Sequence, residues 1–444
     1  MKVAVVGSGI TGLASAWLLG RRHRVTLFEQ NERLGGHAHT VTVGHGDRSI
    51  AVDTGFIVYN DRNYPNLVAL FRALDVPTEA SDMSFSVSVD GGAREWSGQN
   101  PLTLFAQPTN LLRPSFHRML RDVLRFNREG AEDLIDGRVD GLTMGDYLDR
   151  GGYSDLFRRD YLLPMAAAIW SSPMDGILAF PAASLLRFFH NHGLLTVSDQ
   201  PKWRTVTGGS VAYVDRLAAD LRGEIRTSCP IVSVARTSGG VVLHDAHGQS
   251  EQFDEVVLAV HGDQAFRLLA DPSPQETHVL KRVSYRPNRV VLHRDSTLMP
   301  RRRRAWASWN YLSDGAGGSG RRDCVTYWMN RLQNIDRRYP LFVTVNPTSE
   351  PDPATVFGEF TYRHPQFDRS AVAAQSELAM IQGARNTWYC GAWCGYGFHE
   401  DGLRAGLSVA MALGARPDWT TDVTPAGYTD SRQPDRLMAA AGGD

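Results

Sequence analysis

The first 29 residues constrain this chain more than any other stretch. Residues 2–6 (KVAVV) form a short β-branched run of the kind that parallel sheets bury. GSGITG follows, then LASAWLLGRR at helical spacing, then RVTLFE, which closes on Glu29. Strand, glycine turn, helix and strand within about 30 residues make one βαβ unit. The three glycines act differently. Gly7 permits the tight turn, Gly9 lets backbone approach a pyrophosphate, and Gly12 allows close helix–strand packing. The N–H groups at the helix start, at Ile10 and Thr11, then face phosphate charge. Glu29 lies 20 residues beyond Gly9 and can accept from ribose hydroxyls, while it would repel a 2′-phosphate, which disfavours NADP. These residues read as a dinucleotide site, and their spacing leaves FAD and NAD both open. The opening also imitates a secretion signal, but its glycines and the strand that follows argue against one.

A chain of 444 residues exceeds one simple core, so two domains are expected. After a further strand at SIAVDTGFIVY, the texture changes near residue 62. Residues 101–190 read as helices rich in Leu, Phe and Met; short strands return at IRTSCPIVSVAR, GVVLHDA and DEVVLAV. A second β-rich patch runs through VSYRPNRVVLHRD, RRAWASWNYL, DCVTYWMNRL and PLFVTVN. NTWYCGAW then reads as a strand and LRAGLSVAMALG as a helix. This alternation implies two domains woven from several chain pieces. The net charge of −1 gives no general attraction to nucleic acid. Four cysteines in so long a chain do not suggest a disulfide scaffold, so a cytoplasmic setting is expected. No apolar run reaches the ~18 residues that a membrane-spanning helix needs.

Near the C-terminus, WYCGAWCGYGFHEDGLRAG gathers Cys390, Cys394, His399 and two acids. The donors suit a metal, but the cysteine spacing is wide and no second pair completes four ligands, so no metal is expected. A nucleophilic thiol would need a base and an electropositive site, and the sequence displays neither. The order of elements favours a third reading: a strand ends at Gly391, a glycine-rich loop follows, and Asp401 is the expected N-cap of a helix running to Leu413.

Arg33-Leu34-Gly35-Gly36, just after Glu29, resembles the segment that prolongs the fingerprint in flavoproteins of the amine-oxidase superfamily. Many members continue with an arginine near the pyrophosphate; this chain has His37. Asp53-Thr54-Gly55-Phe56 resembles the strand end that passes the flavin ring, and GGSVAYVDRLAADL the helix before the strand that reaches the adenine, here through the backbone of Val232. In that superfamily the last segment returns to the nucleotide domain, and its helix N-terminus favours negative charge on reduced flavin. Gly391-Ala392 stands where most relatives carry Gly-Glu. The resemblance implies FAD as cofactor, held by Gly7, Gly9, Ile10, Thr11, Gly12, Glu29, Gln30, Arg33, Gly35, Gly36, His37, Gly55, Phe56, Val232, Gly391, Asp401, Gly402 and Leu403. Gly402 and Gly406 would let backbone approach the ring and ribityl chain, with Tyr396 and Phe398 near the ring. The implied fold is α/β: a Rossmann-like FAD-binding domain (1–75, 196–275, 376–420) interleaved with a substrate domain of mixed sheet plus helices (76–195, 276–375), then a flexible tail (421–444).

GSGITGLASAW, DTGFIVYNDRNYPNL, LPMAAAIWSSP, RRAWASWNY, VTYWMNRLQ and GAWCGYGFHEDGLRAGL most resemble a bacterial group of flavoproteins associated with cyclopropane-fatty-acyl-phospholipid synthases. That resemblance implies an oxidoreductase acting on a fatty acyl or phospholipid chain, functionally linked to a methyltransferase of that kind. Hydride would pass to flavin N5, with His399 and Glu400 as the proton-handling pair. An apolar tunnel in 101–190 would hold the chain, and the arginines of NLLRPSFHRMLRDVLRFNR, with Arg301–Arg304, would give peripheral membrane contact. Rival readings are amine oxidation, redox-neutral double-bond isomerisation, and a non-catalytic flavin-binding partner. Amine oxidases commonly place a lysine near N5; the matching strand, YRPNRVVLH, offers Arg289 instead.

Overall fold

A computed structural model describes residues 1–45, 48–196, 200–314 and 322–426. Strand β1 (Lys2–Val6) leads into helix α1 (Ile10–Leu19) and strand β2 (Arg24–Phe28). Three later strands join them: β3 (Glu224–Arg226), β4 (Glu255–Leu258) and β5 (Thr387–Tyr389). The sheet is wholly parallel in the order β3-β2-β1-β4-β5, with Val5 of β1 opposite Leu27 on one side and Val257 on the other. The order reverses at β1, so a crevice opens at the carboxyl ends of β1 and β4, where such sheets bind ligands.

All ten residues of α1 are buried. One side lies on the sheet; the others meet helix Val211–Asp220 and the last helix among the described residues, α2 (His399–Ala412). Small residues permit the α1–α2 contact: a Cβ on Gly406 would lie 2.6 Å from the Thr11 carbonyl oxygen, and one on Gly402 2.8 Å from Thr11 Oγ1. Leu13, Trp17, Leu403, Leu407 and Tyr213 fill the surrounding core.

The second domain is built on a seven-stranded sheet. In spatial order its strands are Val356–Gln366, Ser284–His293, Phe342–Val345, Arg322–Trp328, Trp309–Asp314, Phe85–Val89 and Arg94–Ser97. Every pairing is antiparallel except that of Trp309–Asp314 with Phe85–Val89. The chain thus leaves the nucleotide sheet and returns to it, so the interleaved α/β architecture is present. Helices Pro114–Ile135, Leu163–Trp170 and Ala182–Asn191 close on one another through Phe126, Phe157, Leu186 and Phe189.

Two expectations change. The sequence pattern does not reveal strand Val356–Gln366, the longest among the described residues. The segment from 421 does not begin as a free tail: Thr421 Oγ1 donates to Asn66 Oδ1 (2.6 Å), Val423 is buried, and the Ala426 N–H reaches the Ser408 carbonyl (2.9 Å). Residues 427–444 lie outside the described residues.

The α1–α2 contact yields a stability prediction. Gly406→Val, which forces a side chain against Thr11 and Ser15 Oγ, should cost about 2–3 kcal/mol. Thermal denaturation should show a clearly lowered midpoint, whereas an equal substitution at the exposed Gly44, where a Cβ meets no atom within 4 Å, should be milder.

Candidate functional site

The glycine turn ends β1 and starts α1. Gly7 adopts φ +100, and its N–H donates to the Phe28 carbonyl (2.8 Å). A Cβ on Gly12 would sit 1.8 Å from the Gly7 carbonyl oxygen, so Gly12 is a packing glycine. Gly9 differs: φ is −64, and a Cβ there would meet no atom within 4 Å. No side chain caps α1 and no acid stands in its first turn, so no side chain offsets the positive end of this helix.

Glu29 is buried beside this turn. Its Oε2 accepts from the Ser8 N–H (3.0 Å) and hydroxyl (2.6 Å), and its Oε1 from the Asn31 N–H (2.9 Å) and amide (2.8 Å). The carboxylate is held rigid, and the Ser8 hydroxyl is the partner that can rotate away for a ribose hydroxyl. Gln30 and Arg33 are exposed on the same rim. Val232 is 52% exposed where the ladder of strand Ile231–Thr237 shifts register, which leaves its backbone outside the pairing. These residues fit the adenosine half of a dinucleotide.

Gly35 and Gly36 press the next loop onto the turn: the Gly35 N–H donates to the Ser8 carbonyl (3.0 Å), and a Cβ on Gly36 would lie 3.1 Å from the Gly9 Cα. His37 follows. Its carbonyl accepts the Phe56 N–H (2.8 Å), and Gly55 is small because a Cβ there would lie 2.1 Å from that carbonyl oxygen. Burial, then the charge of Arg33, lower the His37 pKa to about 4, and its Nε2 is buried without a partner among the described residues. An imidazole with its Nε2 unpartnered, beside a helix start that no side chain caps, fits a diphosphate.

The substrate sheet completes this wall. Tyr362 OH lies 2.7 Å from Thr54 Oγ1 and 2.8 Å from His39 Nδ1. His364 stands 5.6 Å from the His37 ring and 3.0 Å from Asn288 Nδ2, and His261, after β4, lies 6.1 Å from His37. Burial lowers the pKa of His261 to about 4 and of His364 to about 3, with like charge from their imidazole neighbours adding to it. Sequence reasoning did not single out Asn288, Tyr362, His364, His39 or His261. The alternation Phe360, Tyr362, His364 was the available signal, since those residues share one strand face.

The C-terminal run places its parts differently from expectation. Gly391 is buried against Trp393, whose indole N–H donates to the Val260 carbonyl (3.1 Å). Cys390 is wholly buried and its thiol is pushed up to about 12; burial also raises Cys394, so neither is a ready thiolate. Asp401 is not the N-cap: it stands third in α2, and its carboxylate accepts from the N–H of Phe398, the capping residue (2.9 Å). Leu403 is fully buried in the core. Gly402 and Gly406 face α1, so their smallness serves helix packing rather than contact with the ring and ribityl chain. Tyr396 and Phe398 pack on the helical half, with Phe398 stacked on Phe188 (5.1 Å).

His399 and Glu400 part company. His399 stacks on Phe56 (3.7 Å, 13°), and its Nε2 lies 3.0 Å from Tyr213 OH. Burial and nearby His37 lower its pKa to about 3, so it does not gain a proton at neutral pH. Glu400 turns the other way. Its Oε1 accepts from the N–H (3.0 Å) and amide (2.8 Å) of Asn66, and its Oε2 from the Leu67 N–H (2.9 Å), capping helix Pro65–Ala73. The proton-handling pair is therefore replaced by a stacked neutral imidazole and a helix cap. Arg289 is also displaced from its expected place: it points outward and pairs with Glu350 (2.8 Å) and Glu359 (2.6 Å). The Leu, Phe and Met side chains of 101–190 largely pack on one another as a helical core, rather than around a tunnel.

Two outcomes follow from this geometry. Gly9→Ala should leave the apoprotein's melting temperature nearly unchanged yet weaken FAD retention by roughly 10- to 100-fold, the equivalent of ~1–3 kcal/mol of overpacking; Gly12→Ala should damage the fold itself. Equilibrium dialysis with thermal melts separates the two. His37, His261 and His364 have folded pKa values below their usual 6.5, so the unfolded chain binds protons that the folded chain does not. Their contribution is complete above pH ~6.5 and is lost as pH falls toward 4, at up to ~1.4 kcal/mol per pH unit for each. Urea titrations across that range should show this slope, and H37N should make it shallower.

The comparisons agree with this architecture. The family model for flavin containing amine oxidoreductases matches residues 10–334. The carotenoid phi-ring synthase of Streptomyces griseus is 29% identical over 290 residues, 60% of this chain and 54% of that protein. The flavin-dependent L-tryptophan oxidase of Lentzea aerocolonigenes is 22% identical over 278 residues, 58% of this chain and 57% of that one. The alignment thus spans a little over half the length of these curated relatives. Among solved structures, the CLA-producing fatty acid isomerase from P. acnes superposes with TM-score 0.63 at 16% identity, covering 91% of this chain and 96% of that one. Putrescine oxidase with bound putrescine gives TM-score 0.67 at 13% identity, covering 94% and 100%. These structural likenesses establish the fold. With its matched segment, glycine turn and interleaved domains, the chain belongs to the flavin-containing amine oxidoreductase family.

Proposed function

We propose that this flavoprotein desaturates a modified or unsaturated fatty acyl chain, free or in a phospholipid. Bound FAD would supply the hydride acceptor, and a neutral imidazole of the facing wall, such as His364, would take the proton from the adjacent carbon. The observation that carries the reading is the uncharged wall facing the cofactor turn. Asn288, Tyr362 and His364 meet His37, His39 and Thr54 there, burial keeps the imidazoles neutral, and Arg289 is turned to the outer face. A wall without resident charge suits the middle of an apolar chain better than an ammonium group, which would need a paired anion. Tyr362, braced by His39 and Thr54, positions the chain from the substrate sheet, and the buried aromatic side chains around it exclude water.

An unactivated C–H bond is a poor hydride donor, so the substrate carries an adjacent double bond or a substituent that stabilises positive charge. That requirement supports the finer placement beside the bacterial proteins linked to cyclopropane-fatty-acyl-phospholipid synthases, since such a methyltransferase supplies modified chains. Two similar proteins support it by name, one acting on a fatty acid and one in carotenoid synthesis. Two others are named for oxidation of L-tryptophan and of putrescine, and they keep amine oxidation as the rival.

Acyl-lipid mass profiles from cells with and without the gene test the proposal. Loss of two hydrogens from a modified or unsaturated chain is the expected result. Unchanged mass with a moved double bond would instead indicate an isomerase. Hydrogen peroxide release with simple amines, and no lipid change, would overturn the reading.

A further inference from the structure

We infer that the helical half of the substrate domain docks on an anionic phospholipid bilayer. Every exposed leucine among the described residues lies here: Leu102 (82%), Leu111 (53%), Leu112 (85%) and Leu124 (59%). Leu102 sits in the helical turn Pro101–Leu104, Leu111 and Leu112 in the turn Pro108–Leu112, and Leu124 on helix Pro114–Ile135. The three segments form one surface. Phe105 packs its ring against Phe116 (5.9 Å) and His117 (6.4 Å), and His117 Nε2 lies 2.9 Å from the Leu111 carbonyl oxygen. The turn Arg303–Ala305 lies against Pro101–Leu104, and the Arg302–Glu95 ion pair (2.9 Å) anchors that run, with Glu95 fully buried.

Charge complementarity selects the occupant. Neither residues 98–121 nor residues 296–313 contain an Asp or Glu. Arg118, Arg121, Arg303 and Arg304 are exposed, and none forms an ion pair among the described residues. Arg303 lies over the Trp306 ring (5.2 Å) but has no ion-pair partner among the described residues, whereas Arg125 pairs with Asp122 (3.3 Å) and Glu129 (4.0 Å) and does not belong to this belt. Protruding leucines ringed by unpaired arginines are what a surface needs to reach the acyl boundary while cations meet anionic headgroups. No helix among the described residues is long and apolar enough to cross a membrane, so the contact is peripheral. The inference does not depend on the reaction proposed above.

The test is co-sedimentation of the full-length flavoprotein with vesicles of phosphatidylglycerol in phosphatidylcholine, beside vesicles of phosphatidylcholine alone. Binding should favour the anionic vesicles and weaken as salt rises. The pair L102S/L112S should lower partitioning by roughly tenfold or more, and R303Q/R304Q should lower it on anionic vesicles by about fivefold per arginine. Flavin content and melting temperature should not change, since these side chains are exposed. Wild-type protein that stays in the supernatant with anionic vesicles would overturn the inference, as would variants that bind equally well. A concentration-dependent dimer that L102S/L112S abolishes would overturn it too, by showing that a second copy of the chain covers this face.

Discussion

The fold depends on the contact between α1 and α2. Gly402 and Gly406 on one helix meet Thr11 and Ser15 on the other so closely that any side chain there would strike backbone or hydroxyl. This contact carries the end of the chain back to its beginning. It sets β5 beside β4 and places the loop from Gly391 to Phe398 over the carboxyl edge of the sheet. It also puts His399 against Phe56 and lets Glu400 cap helix Pro65–Ala73. A site built from residues so distant in sequence would otherwise have no fixed geometry.

Around this frame the protein keeps its cofactor wall free of charge. His37, His261, His364 and His399 are half-buried close to one another, and desolvation makes protonating any of them costly. The buried acids nearby serve the structure. Glu29 gathers Ser8 and Asn31, Glu400 caps a helix, and Asp53 ties Thr40, Ser210 and Gln333 together. Asp401 caps its own helix. An anion at the start of α1 would meet a helix end that no side chain caps, without need of a cationic side chain.

The nucleotide half is legible in the sequence because its signal is local. A β-branched strand, three glycines and an acid within 29 residues leave few alternative folds, and each glycine has a separate steric reason. The substrate half is less legible because its wall is assembled from cross-strand neighbours far apart in sequence. Strand Val356–Gln366 contains Gly358 and Pro365, which mask its period, yet it supplies Tyr362 and His364. Arg289 suits the site by residue type, but strand alternation sends it to the opposite face from its neighbour Asn288. His399 and Glu400 are adjacent in sequence, which suggests a pair; successive helix residues diverge, and their partners lie on different elements. Gly402 reads as a ligand contact because nothing local reveals which surface a helical glycine faces.

The central claim is that the carboxyl edge of the parallel sheet, closed by the returning C-terminal helix, holds FAD. The absorption spectrum of the purified full-length protein, with identification of the nucleotide released on denaturation, tests this most directly. The account predicts a yellow protein that yields FAD in amounts equal to the chain. A colourless protein that takes up no FAD when the nucleotide is supplied in excess would contradict it.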